Sequence, residues 1–261
     1  MLFREVDTRR GWAFTTGVMI LKPVLVPLTR REWSGGEHIP REGGCVIALN
    51  HVSHVDPLLS AHFVYDHHRL PHYLAKSGLF RNKALGNFLQ AAGQIPVERL
   101  SANAVGAFDA AVQAVGEGKC VVVYPEGTLT RDPDLWPMRG KSGAARIALA
   151  TGCPVIPVGH WGAQDLLEPY GKKPDLLPRK TIKMRAGAPV ELADLVASEH
   201  TADVIAQATD RIMAAITAIV EELRGEKAPA QRFDPRKAGV RQIGNPRGSR
   251  TKKARRSEEG K

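Results

Sequence analysis

Cysteine is scarce in this chain of 261 residues. There are three, Cys45, Cys120 and Cys153, with no paired Cys-x-x-Cys spacing. An odd, scattered set excludes a disulfide framework and a cysteine-rich metal site. Two lie inside apolar runs and the third just before one, so they read as small buried hydrophobes in a reducing compartment. A long apolar run is also lacking. A spanning helix needs about 20 predominantly apolar residues. The stretch from Gly11 to Thr29 is broken by Lys22, Pro23 and Pro27, leaving two pieces each too short to cross a bilayer. No secretory signal, no internal repeat and no Gly-x-Ser-x-Gly nucleophile motif is present. Gly140-Lys141-Ser142 matches the end of a phosphate-binding loop, but Leu135 stands where that loop needs its first glycine, which excludes that loop motif and leaves an anion site at Lys141.

Positive charge is abundant but confined. Residues 225–261 carry 12 Lys/Arg against 4 Asp/Glu, so a net charge of +10 reduces to +2 for residues 1–224. Beyond Gly225 apolar residues thin out, and the composition predicts a disordered basic tail. Residues 1–33 read as an N-terminal amphipathic helical region, either lying on a bilayer through Trp12, Phe14, Val18, Ile20 and Leu21 or packed on the core. Between them, residues 34–224 alternate strand and helix signals. Strands are expected at Cys45–Leu49, His72–Ala75, Gln94–Val97, Cys120–Tyr124, Val155–Val158 and Thr181–Arg185. Helices are expected near 57–66, 82–92, 103–117, 141–151 and 201–224, the last capped by Thr201. This pattern specifies one α/β domain with a mostly parallel sheet flanked by helices.

Chemistry-bearing residues gather where these strands end. Asn50-His51-Val52-Ser53-His54-Val55-Asp56-Pro57 follows the apolar run Cys45–Leu49 directly. A neutral imidazole is the natural base near pH 7, and a carboxylate on its other nitrogen fixes the tautomer. Without a nucleophilic serine or cysteine elbow beside it, such a base acts on a substrate hydroxyl. Arg99 closes Gly93-Gln94-Ile95-Pro96-Val97-Glu98-Arg99, and Lys141 precedes a helix start; both suit an anion. Tyr124-Pro125-Glu126-Gly127-Thr128 is a tight turn after a buried strand, with Gly127 allowing close backbone approach. Taken singly, Arg99 reads as a surface arginine, whereas a solvated loop glutamate is hard to favour for Glu126, because its turn follows a continuous apolar strand.

Taken together these segments resemble the glycerophospholipid acyltransferase family, in particular its bacterial 1-acylglycerol-3-phosphate acyltransferases. The family's His-x4-Asp motif matches His51 and Asp56, its Gly-x-Ile-x-x-x-Arg block matches Gly93 to Arg99, and its Phe-Pro-Glu-Gly-Thr block matches Tyr124 to Thr128. Its Lys-x-Gly element matches Lys141 and Gly143, and its Val-Ile-Pro-Val block matches Val155 to Val158. The resemblance spans about residues 40–190. It departs after Thr128, where Leu129-Thr130-Arg131 replaces Arg-Ser, so that one anion contact is either lost or supplied by Arg131, and at Tyr124, which replaces phenylalanine. The resemblance implies acyl transfer from acyl-CoA or acyl carrier protein to the hydroxyl of 1-acylglycerol 3-phosphate, or alternatively of glycerol 3-phosphate or another lysophospholipid, with His51 as general base and Asp56 orienting it. Arg99, Glu126, Gly127, Thr128 and Lys141 would hold the acceptor. A backbone N–H near Ile156 or the Glu126 turn would stabilise the oxyanion. No cofactor and no metal is implied. The expected location is the cytoplasmic face of the membrane, peripheral or monotopic, with anionic lipids as partner.

Two other classes compete. Six of nine histidines fall between His51 and His72, and His51-x-x-His54-x-Asp56 has the density of a metal site, but only His160 and Glu126 lie at later strand ends. The basic tail would also suit a binding protein. It has one aromatic, Phe233, so it offers no stacking platform for nucleic acid, and an anionic bilayer is the better partner.

Overall fold

Strands buried on both faces write themselves as continuous apolar runs. Cys45–Leu49 and Cys120–Val123 do so, and every residue in them is buried. They become neighbours at the centre of a seven-stranded sheet. The structure is a computed structural model, and it describes residues 5–6, 11–97, 104–241 and 245. In chain order, helix α1 (Trp12–Leu28) leads into β1 (Thr29–Ser34) and β2 (Cys45–Leu49). Then come α2 (Asp56–Asp66), β3 (Pro71–Lys76), α3 (Lys83–Ala91), β4 (Ile95–Val97), α4 (Ala104–Gly116) and β5 (Cys120–Val123). The chain continues through α5 (Gly143–Thr151), β6 (Val155–Trp161), α6 (Ala163–Leu166), β7 (Lys180–Ala186), α7 (Ala193–Val196) and α8 (Ala202–Arg224).

The strand order is β1-β7-β6-β2-β5-β3-β4, with only the β6–β7 pair antiparallel. This is the mostly parallel α/β sheet that the alternating pattern specifies. Central β2 is paired with β5 on one side and β6 on the other. The chain leaves β2 toward β3 and leaves its neighbour β6 toward β7, in opposite directions, so the carboxyl ends of these strands flank the crevice of a topological switch point. One apolar core joins the sheet to α4, α5 and α8; the other joins it to α1 and α2. The Thr201 hydroxyl caps α8 by accepting from the Val204 N–H, and Gly225 ends it at φ +70°.

Three features differ from expectation. Thr29–Ser34 is a strand, not part of a helical region; it lies at the sheet edge, where four of its six residues are exposed and no apolar period is required. Helix α1 runs unbroken through Pro23 and Pro27. Its inner face buries Ala13, Val18 and Leu25, and Lys22 is buried as an ion pair with Asp66 at 2.6 Å. Its outer face leaves Trp12, Met19, Ile20 and Val24 more than half exposed. The inner face is packed on the core, one of the two arrangements expected, and Val18, expected as a bilayer contact, lies on that buried face. Finally, the packed chain extends past Gly225. Pro235 is buried, Phe233 C=O accepts the Arg139 N–H at 2.9 Å, and Arg232 pairs with Asp210 at 3.0 Å. Residues from 246 on lie outside the described part. No helix among the described residues is long and apolar enough to cross a membrane.

Candidate active site

The loop leaving β2 folds back so that Asp56, the first residue of α2, faces His51. Asp56 Oδ2 accepts the backbone N–H groups of Val52 and Ser53 at 2.7 and 2.8 Å and lies 2.8 Å from His51 Nδ1. The carboxylate therefore orders its own loop while orienting the imidazole. It has no solvent exposure. Burial alone would raise its pKa, but His160 and His51 outweigh that and hold it well below the usual carboxylate range. With Nδ1 donating to Asp56, Nε2 of His51 is the nitrogen left to accept a proton.

His160, expected near a strand end, is a site residue that the sequence reading leaves without a role beside Asp56. Considered there only as a metal ligand, it is buried in β6 with Nε2 at 2.8 Å from the Asn50 carbonyl and 3.5 Å from Asp56 Oδ2. Asn50 fixes it further: its side chain donates to the His160 carbonyl at 3.0 Å and accepts the His160 N–H at 2.9 Å. Asp56 is thus flanked by two imidazoles. The tandem Asn50-His51 at the end of β2 and a lone histidine at the end of the neighbouring strand β6 were the available signal.

Glu126 approaches from the other side. Its Oε1 accepts the His51 backbone N–H at 2.8 Å and its Oε2 accepts the Met138 N–H at 3.0 Å. The side chain is 1% exposed, and burial raises its pKa to about 8 against the opposing pull of those bonds. Rather than facing an acceptor hydroxyl, Glu126 fastens the β5 turn to the His51 backbone. Thr130 N–H adds a second fastening, to the His51 carbonyl at 2.7 Å. The Tyr124 ring stacks on the His51 ring with centroids 4.3 Å apart, and its hydroxyl meets Ser60 Oγ at 2.8 Å.

Gly127 has φ +69°, and a Cβ there would stand 2.8 Å from Lys141 Nζ. The missing side chain is what lets the ammonium lie over the turn. Thr128 and Lys141 line the same basic cleft. Arg99 lies outside the described residues. Arg131 is turned away: its guanidinium stacks on Tyr170 at 4.8 Å, so it does not replace the missing cation beside Lys141. Ile156 is buried in mid-sheet opposite Ile47, and within the Glu126 turn the Gly127 N–H is taken by the Tyr124 carbonyl. The His54 ring meets Tyr170 edge-on at 5.7 Å. Among the described residues no group of three or more His, Cys, Asp or Glu side chains gathers as a ligand set.

Two cavities meet this turn. One, of about 480 Å³, is apolar; His51 and Tyr124 reach it, and Phe14, Val18, Leu79 and Phe88 line it. The other, of about 980 Å³, is basic and holds Glu126, Thr128 and Lys141.

Comparison with known proteins adds the family. The acyltransferase family model matches residues 30–161. A 1-acyl-sn-glycerol-3-phosphate acyltransferase of Bacillus subtilis is 30% identical over 158 residues, covering 60% of this chain and 72% of that protein. One from Borreliella burgdorferi is 32% identical over 126 residues, 48% of each chain. The crystal structure of the 1-acyl-sn-glycerophosphate (LPA) acyltransferase from Thermotoga maritima shares the fold, with TM-score 0.61 and 22% identity over 81% of this chain and 79% of that one.

Proposed function

This chain belongs to the acyltransferase family, and from that membership we propose that it moves an acyl chain from an acyl thioester to the free hydroxyl of 1-acylglycerol 3-phosphate, with His51 as general base. One observation carries the reading: the His51–Asp56 pair opens into an apolar cavity while its supporting turn borders a basic cleft. A fatty acyl thioester and a phosphorylated glycerol need those two environments at one point.

In this mechanism Nε2 of His51 removes the acceptor hydroxyl proton as the oxygen attacks the thioester carbonyl. Asp56 keeps Nδ1 protonated and stabilises the imidazolium. Collapse of the tetrahedral intermediate breaks the carbon–sulfur bond, and His51 returns the proton to the departing thiolate. The acyl chain lies among Phe14, Val18, Leu79 and Phe88, and Lys141 holds the acceptor phosphate above Gly127. The exposed stripe Trp12, Met19, Ile20 and Val24 adjoins the cavity on α1, so an apolar acceptor reaches it from a bilayer on which that helix rests. The basic segment 246–261 adds attraction for anionic lipids, at about 1 kcal/mol per basic residue near the surface.

The test is thiol release from a panel of acyl-CoA donors against lysophosphatidic acid, glycerol 3-phosphate and a lysophospholipid of larger headgroup. Release strictly dependent on lysophosphatidic acid supports the proposal. Preference for another acceptor reassigns the headgroup, and acceptor-independent release makes the protein a thioesterase.

A further inference from the structure

The basic cleft is larger than an acceptor phosphate needs. Its volume of about 980 Å³ is at the upper end of small-molecule sites, which run from about 300 to 1,000 Å³. Its walls carry six cations: Arg139, Lys141 and Arg146 at the start of α5, and Arg232, Arg236 and Lys237 from the segment after α8. Asp234 and Asp210 neutralise Arg139 and Arg232, at 2.9 and 3.0 Å. Arg236 and Lys237 are exposed on the cleft with no carboxylate partner among the described residues. The wall they stand on is built. Pro235 is buried, Ala228 N–H donates to Glu221 Oε1 at 2.9 Å, and Asp234 Oδ1 accepts the Arg236 N–H at 2.9 Å. This wall lies beyond residues 30–161, so the family match does not account for it.

We propose that this distal wall binds the adenosine 3′,5′-bisphosphate end of a coenzyme A donor, with Arg236 and Lys237 as its phosphate contacts. The inference deepens the acyl-transfer reading and rests on it. A thioester at His51 with its acyl chain in the apolar cavity leaves its carrier pointing to the other side of the Tyr124–Thr128 turn, where the cleft begins. Coenzyme A brings a pyrophosphate and a 3′-phosphate to a site whose cations outnumber its neighbouring carboxylates. The cations line a concavity, which suits a nucleotide better than the convex acidic face of a carrier protein.

Two measurements on the full chain test this. Adenosine 3′,5′-bisphosphate is titrated calorimetrically into the wild type and the Arg236→Ala/Lys237→Ala variant. Steady-state rates are then compared for one acyl chain presented on coenzyme A and on pantetheine, which lacks the nucleotide. The expected result is bisphosphate binding weakened about tenfold or more, a comparable rise in the KM for acyl-CoA, and unchanged KM values for acyl-pantetheine and acceptor. Equal rises for both thioesters, a rise confined to the acceptor, or bisphosphate binding that is absent, undiminished or displaced equally well by inorganic phosphate each overturns it. A wild type that binds no bisphosphate yet uses acyl carrier protein efficiently also overturns it. Bisphosphate titration needs no turnover. Variant-sensitive binding in a chain that acylates no acceptor would leave the nucleotide site standing and remove the acyl-transfer reading instead.

Discussion

Asp56 and Glu126 touch the same histidine from opposite sides, and both are sealed from solvent, yet they hold their protons oppositely. Three donors converge on one oxygen of Asp56, and His160 lies just behind it. Glu126 spreads two backbone donors over two oxygens, and no cationic side chain offsets its burial. Asp56 therefore stays a carboxylate, whereas Glu126 keeps its proton up to about pH 8. Burial is common to both, so the difference comes from the partners: three donors focused on one oxygen with a second imidazole behind it at Asp56, donors spread over two oxygens with no imidazole side chain among them at Glu126. One acidic side chain orients and stabilises a charge; the other fastens a backbone.

Substitutions that ask each group to do its job without its charge separate these roles. The largest effect belongs to the shared histidine. His51→Ala should lower kcat by about 10⁴-fold, the upper end for base catalysis, with an unchanged circular dichroism spectrum. Asp56→Asn comes next, at about 10³-fold or more, because an amide turns a donor toward His51 or toward the Val52 and Ser53 N–H groups and so spoils the tautomer, the loop or both. Turnover within tenfold of wild type would show that His51 needs no anionic partner and would remove the contrast with Glu126.

Much of this arrangement was legible in the sequence. The central strands were readable because burial on both faces leaves no polar position, which is why Cys45–Leu49 matches its expected bounds. His51 and Asp56 were readable because the chemistry is local, within one loop. His160 was not, since its partner Asn50 lies at the end of the neighbouring strand but 110 residues away in sequence, and its own strand, Val155–Trp161, continues past the apolar block that marked it. Strand β1 was hidden by its edge position, where Arg30, Arg31 and Glu32 face solvent. The packing of residues 226–240 was hidden because backbone bonds and ion pairs hold that segment and leave little trace in composition.

The same isosteric change at Glu126 should act differently. Glu126→Gln removes no charge at neutral pH, so kcat should fall by tenfold or less, reflecting one lost backbone acceptor of about 1–3 kcal/mol. Its signature is in stability against pH. A buried group whose pKa rises from 4.5 to about 8 holds more protons folded than unfolded. Its contribution is complete below about pH 4.5 and is lost as pH rises through 8. Urea melts of the wild type should therefore show stability falling across that window, and the Gln variant should lose that slope. Asp56 has the opposite sign: its stabilisation is present above the ordinary carboxylate pKa and disappears in acid. A Gln variant that keeps the wild-type slope would place the titrating group elsewhere.

The smallest effect tests whether the wall beside His51 works by shape or by hydrogen bonding. Tyr124 stacks on the imidazole, and its hydroxyl ties to Ser60 Oγ, which also meets the Tyr73 hydroxyl at 2.7 Å. Tyr124→Phe keeps the ring and removes one oxygen, while Ser60 retains Tyr73. Stability should drop by about 1 kcal/mol, the usual net value of one such bond. The rate should change less than the Glu126→Gln rate, because neither Asp56 nor the backbone contact of Glu126 is touched. A fall in kcat approaching that of Asp56→Asn would mean the hydroxyl network carries orientation to His51 through Tyr124. The decisive support would then lie in the Ser60–Tyr73–Tyr124 cluster rather than in the two carboxylates.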